Sequence, residues 1–165
     1  MVFVILNLPM LAFRMTGMDE LIELTIDEVW GFPNVTSYGG GYGAKGMLSI
    51  RAGAYAVSAE HCFTTGELYT FFIALKQGYN TLSGEAVLEN TERELELQCV
   101  FNKRGQVIVS GRFQADPSIN NVLSFEIKTD QTQVKDSISS LQAIYEVFGD
   151  HQGKRGYKDR RISHV

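Results

Sequence analysis

Glu60, His61 and Cys62 place a carboxylate, an imidazole and a thiol side by side. These are the side chains that acid–base and thiol catalysis use. The three belong to a predicted strand at residues 54–63, and neighbouring side chains of a strand point to opposite faces of the sheet. They cannot converge on one substrate without distant partners, so we expect a structural role for His61 and no catalytic site here.

The glycine-rich segment at residues 37–43 (SYGGGYG) is a second candidate, because phosphate-binding loops are also rich in glycine. Such loops lie between a strand and a helix and follow GxGxxG, or GxxxxGK with a Ser or Thr next. Here another predicted strand follows the glycines, and Lys45 is followed by Gly46. The segment therefore predicts a loop between strands rather than a nucleotide site.

The two cysteines, Cys62 and Cys99, are both predicted to lie on strands and lack the CxxC spacing of metal and redox sites. We expect reduced core thiols, no metal site and no cofactor.

Charge is distributed unevenly along the chain. The net charge is −4, but residues 18–150 contain 18 acidic and 9 basic side chains, whereas residues 151–165 contain 5 basic and 1 acidic. The composition predicts an acidic folded body, which can attract a basic partner by electrostatic steering.

Two sets of carboxylates fall on predicted polar strand faces. Glu23 and Asp27 share one face, and Glu92, Glu94 and Glu96 alternate along another strand. All five are candidates for contacting a basic protein partner. The alternative is that they keep an exposed sheet soluble and discourage edge-to-edge pairing.

Three consecutive antiparallel strands are predicted between residues 92 and 129. In residues 94–101 apolar and polar side chains alternate, residues 106–114 return after a turn at Gly105, and residues 122–129 follow a second turn at Pro117. One face of this meander is apolar, so it needs a cover.

Two predicted helices provide the cover. Thr64 and Glu67 have capping-box spacing before a stripe of apolar residues that runs to Leu82. Asp130 is the cap candidate for a second helix at residues 134–148, and Gly149 ends it.

The predicted order is β-β-β-α-β-β-β-β-α, with about seven strands in one domain of the 165-residue chain. Hairpin connections favour an α+β fold with a curved, mainly antiparallel sheet and two helices packed on its apolar face. A sheet closed into a partial barrel is the alternative.

The domain is expected to span residues 18–150. Residues 1–17 begin with an apolar run that has no preceding cation and is too short for a membrane span, so we expect an N-terminal extension rather than a signal peptide. We accordingly expect a cytoplasmic protein. Residues 151–165 lack hydrophobic periodicity and are expected to form a basic, disordered tail.

Several segments in the same order resemble bacterial immunity proteins of the WapI type. They are residues 29–33 (VWGFP), 37–42 (SYGGGY), 65–69 (TGELY), 82–84 (LSG) and 113–118 (FQADPS). The resemblance covers about residues 20 to 148. It implies a non-enzymatic, cytoplasmic antitoxin that blocks the C-terminal toxin domain of a cell-wall-associated contact-inhibition protein, a domain that in this family looks like a tRNA-cleaving nuclease.

Two functional hypotheses therefore stand. The first is this toxin binder, with no direct nucleic-acid or membrane contact. The second is a small-molecule-binding or enzymatic barrel whose cavity is lined by Tyr38, Tyr42, Tyr55 and His61. A deep pocket with convergent polar groups would favour the second hypothesis, and a filled core with an acidic open face would favour the first.

Overall fold

The computed structural model describes residues 6–154, which form two antiparallel sheets and two helices. The five strands before the first helix are β1 (Met10–Thr16), β2 (Glu20–Ile26), β3 (Glu28–Val29), β4 (Gly43–Ala52) and β5 (Tyr55–Thr64). Helix α1 (Thr65–Thr81) is followed by β6 (Glu85–Glu89), β7 (Leu95–Phe101), β8 (Gln106–Phe113), β9 (Leu123–Asp130) and helix α2 (Gln131–Phe148).

Sheet A contains the first five strands, and sheet B contains the last four. In sheet A, β4 is central and pairs with β2, β3 and β5, while β1 pairs with the other side of β2. Sheet B is a meander in the order β6-β7-β8-β9. Each sheet turns its apolar face towards the helices and its polar face, called here its outer face, away from them.

Both helices begin at the caps that the sequence predicts. The Thr64 hydroxyl accepts a hydrogen bond from the Glu67 amide at 3.0 Å. The Asp130 carboxylate accepts from the amides of Thr132 at 2.8 Å and Gln133 at 3.2 Å. These bonds satisfy amides that have no partner within the first helical turn.

One hydrophobic core joins the inner faces of both sheets to the helices. Its fully buried members include Phe13 and Leu24 of sheet A, Leu97 of sheet B, Phe71 of α1 and Phe148 of α2. Phe13 and Phe71 are in ring contact, with centroids 5.5 Å apart. Burial of these large side chains is the main favourable term in folding.

The α+β class, the mainly antiparallel pairing and the order of elements from α1 onward are confirmed. The number of strands differs: residues 6–154 contain nine in two sheets, where about seven were predicted. The two additional strands are β1 and the two-residue β3, which pairs with β4 through Glu28 and Val29.

The prediction that residues 1–17 precede the domain is wrong for the part that forms β1. Met10–Thr16 pairs antiparallel with β2, and Ala12, Phe13 and Met15 are fully buried. The Ser137 hydroxyl of α2 also donates to the Arg14 carbonyl oxygen at 2.7 Å. This strand is therefore an integral part of the domain.

The predicted boundary at residue 150 is also wrong, because His151 and Lys154 form hydrogen bonds with the loop before β4. The His151 carbonyl accepts from the Gly41 amide at 2.7 Å, and the Lys154 amide donates to the Tyr42 hydroxyl at 2.9 Å. The rest of the predicted basic tail, residues 155–165, lies outside the described residues.

Candidate partner-binding surfaces

Glu23 and Asp27, the first candidate pair, lie at the outer face of sheet A. Glu23 projects from β2 and forms an ion pair with Arg14 of β1 at 3.6 Å. Asp27 follows β2, and its carboxylate accepts a hydrogen bond from the Thr25 hydroxyl at 2.9 Å. Both carboxylates therefore already have partners within the chain.

Glu92, Glu94 and Glu96 do not share one strand face, contrary to the sequence-based prediction. Only Glu96 lies within β7, because Arg93 takes a left-handed conformation with φ of 56°. The Arg93 amide donates to the Asn90 carbonyl at 2.9 Å, which closes a turn between β6 and β7. The turn leaves Glu92 exposed and breaks the alternation before Leu95.

Glu94, which is partly exposed, forms a hydrogen bond with a buried histidine. Its carboxylate lies 3.3 Å from Nδ1 of His61, which is 2% exposed on the inner face of β5. The imidazole also contacts the rings of Phe63 and Phe113. His61 thus connects sheet A to the turn before β7 and to the end of β8, which is the structural role expected from the sequence.

Asn90 makes a second connection between the sheets beside this pair. Its side-chain amide donates to the Cys62 carbonyl at 3.4 Å, and its side-chain oxygen accepts from the Leu95 amide at 3.2 Å. Asn90 is itself buried, so both bonds satisfy polar groups that water cannot reach.

The buried His61 predicts that the protein loses stability in mild acid. Burial lowers the pKa of His61 from 6.5, although the hydrogen bond to Glu94 and its charge oppose that shift. Below about pH 6.5 the His61 imidazole of the unfolded chain binds a proton, whereas in the folded protein it stays neutral until a lower pH. The free energy of unfolding therefore decreases as pH falls through this range. Urea unfolding at about pH 7.5 and about pH 5.5 measures the effect.

The matched variants are His61→Gln and His151→Gln. His151 is an exposed histidine, whose ring lies 2.7 Å from the Thr70 hydroxyl. We expect the first variant to lose part of the pH dependence and the second to retain it. Equal pH dependence in the wild type and His61→Gln would show that His61 does not take part in this linkage.

Glu96 lies on the outer face of sheet B in a row of charged residues that the sequence alone does not predict. It stands opposite Glu89 of β6 on one side and Arg112 of β8 on the other. Glu85 and Glu126 lie on the same face. Alternation within β6 and β9 marks these glutamates as outward-facing, but only the strand register brings them together.

The residues of the small-molecule hypothesis do not line a common cavity. Tyr38 and Tyr55 are largely exposed, whereas Tyr42 and His61 are buried. The Tyr42 ring contacts Phe32 and Phe148 and its hydroxyl donates to the Pro33 carbonyl at 2.8 Å. The four side chains therefore have separate environments and form no convergent polar site.

The two cysteines differ in their exposure to solvent. Cys99 is buried in sheet B, where desolvation raises the pKa of its thiol to about 12, and Cys62 is exposed on β5. Within residues 6–154, no group of three or more His, Cys, Asp and Glu side chains is placed to hold a metal ion. No helix in this part of the chain is long and apolar enough to cross a membrane.

Comparison with known proteins identifies the family. The model of the immunity protein WapI-like family matches residues 14–149, from within β1 to the residue after α2. A search of curated proteins found no match. The family match covers both sheets and both helices and confirms the resemblance noted in the sequence. The chain belongs to the WapI-like immunity protein family.

Proposed function

We propose that this protein is an immunity protein that binds and neutralises the C-terminal toxin domain of a contact-dependent inhibition protein. The observation that carries the proposal is the family match over residues 14–149, which includes nearly all of the described domain. The toxin domain is a tRNA-cleaving nuclease, and neutralisation takes place in the cytoplasm, where tRNA is found. The protein acts by binding and performs no chemistry of its own.

The charge of the domain supports this kind of partner. Residues 6–154 contain 18 acidic and 11 basic side chains. A nuclease needs a positive surface to attract phosphates, so an acidic protein can occupy that surface in place of the RNA and associate rapidly with it. The same negative charge repels nucleic acid, so direct RNA binding is not expected.

The contact residues proposed from the sequence divide into two groups. Glu23, Asp27, Glu92 and Glu96 lie on surfaces that a partner can reach. Glu94 is committed to His61, so we propose that it acts indirectly, by fixing the turn that carries Glu92.

A tRNA protection assay tests the proposed function. The toxin domain of the candidate cognate contact-dependent inhibition protein is incubated with tRNA and increasing amounts of the purified full chain. We expect cleavage to stop when the protein reaches one equivalent of toxin. A WapI-like immunity protein from a different toxin pair is the matched control and should leave cleavage unchanged. Full cleavage in the presence of an excess of folded protein would contradict the proposal.

A further inference from the structure

The outer face of sheet B has an apolar centre that no described element covers. Val87 is 43% exposed and Val100 is 41% exposed, and Ile108 lies opposite Val100 in the next strand. Exposed apolar side chains grouped on a sheet face, with polar residues around them, are typical of protein-binding surfaces.

Four carboxylates and two cations surround this apolar centre. The charged residues of the face are Glu85, Glu89, Glu96, Arg112, Glu126 and Lys128. A shallow depression of about 430 Å³ lies between Val87, Glu89, Glu96 and Arg112. The face therefore combines a small apolar area with an acidic rim.

Two of these carboxylates repel each other and so destabilise the fold. Glu89 and Glu96 are direct cross-strand partners, and like charges in such positions destabilise a sheet. The Arg112 guanidinium donates to the Gln114 side chain at 2.8 Å, and no cation of residues 6–154 lies within 4 Å of the Glu96 carboxylate. The cation nearest to Glu89 is Arg93, at 3.5 Å in an exposed pair.

The outer face of sheet A differs in this respect. Its carboxylates Glu23, Glu28 and Glu60 are already paired with cations, the first with Arg14 and the other two with Lys45. A basic partner would have to displace those cations. On sheet B, Glu89 has one exposed cation, Arg93, but no cation of residues 6–154 lies within 4 Å of Glu96, so a partner's cation there would relieve an existing repulsion.

We infer that the outer face of sheet B is the docking surface for the basic nuclease domain of the toxin. Lysine or arginine side chains of the toxin lie at Glu89 and Glu96, and an apolar side chain covers Val87 and Val100. This inference rests on the proposed function, because it takes the toxin as the occupant of the face.

Matched charge reversals on the two sheets test the inference. The variants are Glu89→Lys with Glu96→Lys on sheet B, and Glu28→Lys with Glu60→Lys on sheet A. Each pair changes the net charge by the same amount, so a nonspecific charge effect would be equal in both. Stopped-flow association with the purified toxin domain is measured, and circular dichroism melting confirms that each variant is folded.

We expect the sheet B variant to associate at least about tenfold more slowly and the sheet A variant to stay within about threefold of the wild type. Raising the salt from about 50 to 500 mM shortens the Debye length from roughly 14 to 4 Å. This change should slow the wild type and the sheet A variant much more than the sheet B variant.

The apolar centre has its own test, which leaves charge unchanged. Val87→Ser with Val100→Ser should speed dissociation at least about tenfold, because truncating central apolar contacts acts mainly on the off-rate. Val35→Ser is the control, since Val35 is 66% exposed on the loop after β3. It should leave dissociation unchanged.

The possible outcomes distinguish an error in the assigned docking surface from an error in the proposed function. If the wild type protects tRNA but the folded sheet B variant binds with the wild-type rate and salt dependence, the surface assignment is wrong and the function stands. A larger defect in the sheet A variant would likewise overturn the assignment. If the wild type neither binds nor protects, the proposed function fails and this inference fails with it.

Discussion

Deletion of residues 1–17 is expected to abolish the cooperative unfolding transition of the domain. The deletion removes β1, whose Ala12, Phe13 and Met15 are fully buried. It also leaves β2 without one of its two neighbouring strands and exposes the part of α2 that packs on β1. Loss of a single buried Phe costs about 3–5 kcal/mol, and whole domains are stable by only about 5–15 kcal/mol.

Thermal unfolding, monitored by circular dichroism, measures the effect. Two point variants show how much individual side chains of β1 contribute to stability. Phe13→Ala should lower the free energy of unfolding by about 3–5 kcal/mol. Leu11→Ala in the same strand is the control, because Leu11 is 40% exposed and should contribute much less. A truncated chain that melts cooperatively near the wild-type temperature would show that β1 is dispensable.

Leu97→Asp is expected to prevent stable folding. Leu97 is 1% exposed and lies in β7, between Leu88 of β6 and Gly111 of β8. The substitution places a carboxylate without a partner in the core, at a cost of more than about 4 kcal/mol, and it also removes apolar contacts. Urea unfolding and the dispersion of a proton NMR spectrum measure the result.

Ser124→Asp is the matched control for this variant. It introduces the same side chain into the same sheet, but Ser124 is exposed on the outer face opposite Arg112. We expect a change in unfolding free energy within about 0.5 kcal/mol. A folded Leu97→Asp protein with an unchanged unfolding midpoint would show that the core can accommodate a charge at this position.

The regular elements of this fold were predictable because local signals specify them. The meander of sheet B follows period-2 alternation, and both helices begin at caps that short side-chain bonds provide, from Thr64 and Asp130. Such signals depend on residues close in sequence. They need no knowledge of the tertiary fold.

β1 was missed because its pattern is irregular. The pairing with β2 shifts register between Leu11 and Phe13, and Ala12 and Phe13 are buried in succession. A β-bulge of this kind breaks the alternation that identifies a strand. The two-residue strand β3 is too short to produce any pattern, and only its pairing with β4 makes it a strand.

The glutamates of sheet B show that the candidate site, too, could not be predicted from local sequence patterns. Glu92, Glu94 and Glu96 alternate in the sequence, but the turn at the left-handed residue Arg93 leaves only Glu96 within a strand. Glu89 and Glu96 are distant in sequence and adjacent in the sheet, because the register of β6 and β7 brings them together. The family resemblance could be read from the sequence, whereas the surface requires the fold.

Growth of bacteria that produce the toxin domain tests the central claim, immunity, most directly. The toxin domain is induced in cells with or without the full chain, and growth and intact tRNA are followed over time. We predict arrest with the toxin alone, full growth with intact tRNA when the wild-type protein is present, and arrest again with Leu97→Asp. Arrest and tRNA cleavage in cells that contain an excess of the folded wild-type protein would contradict the account.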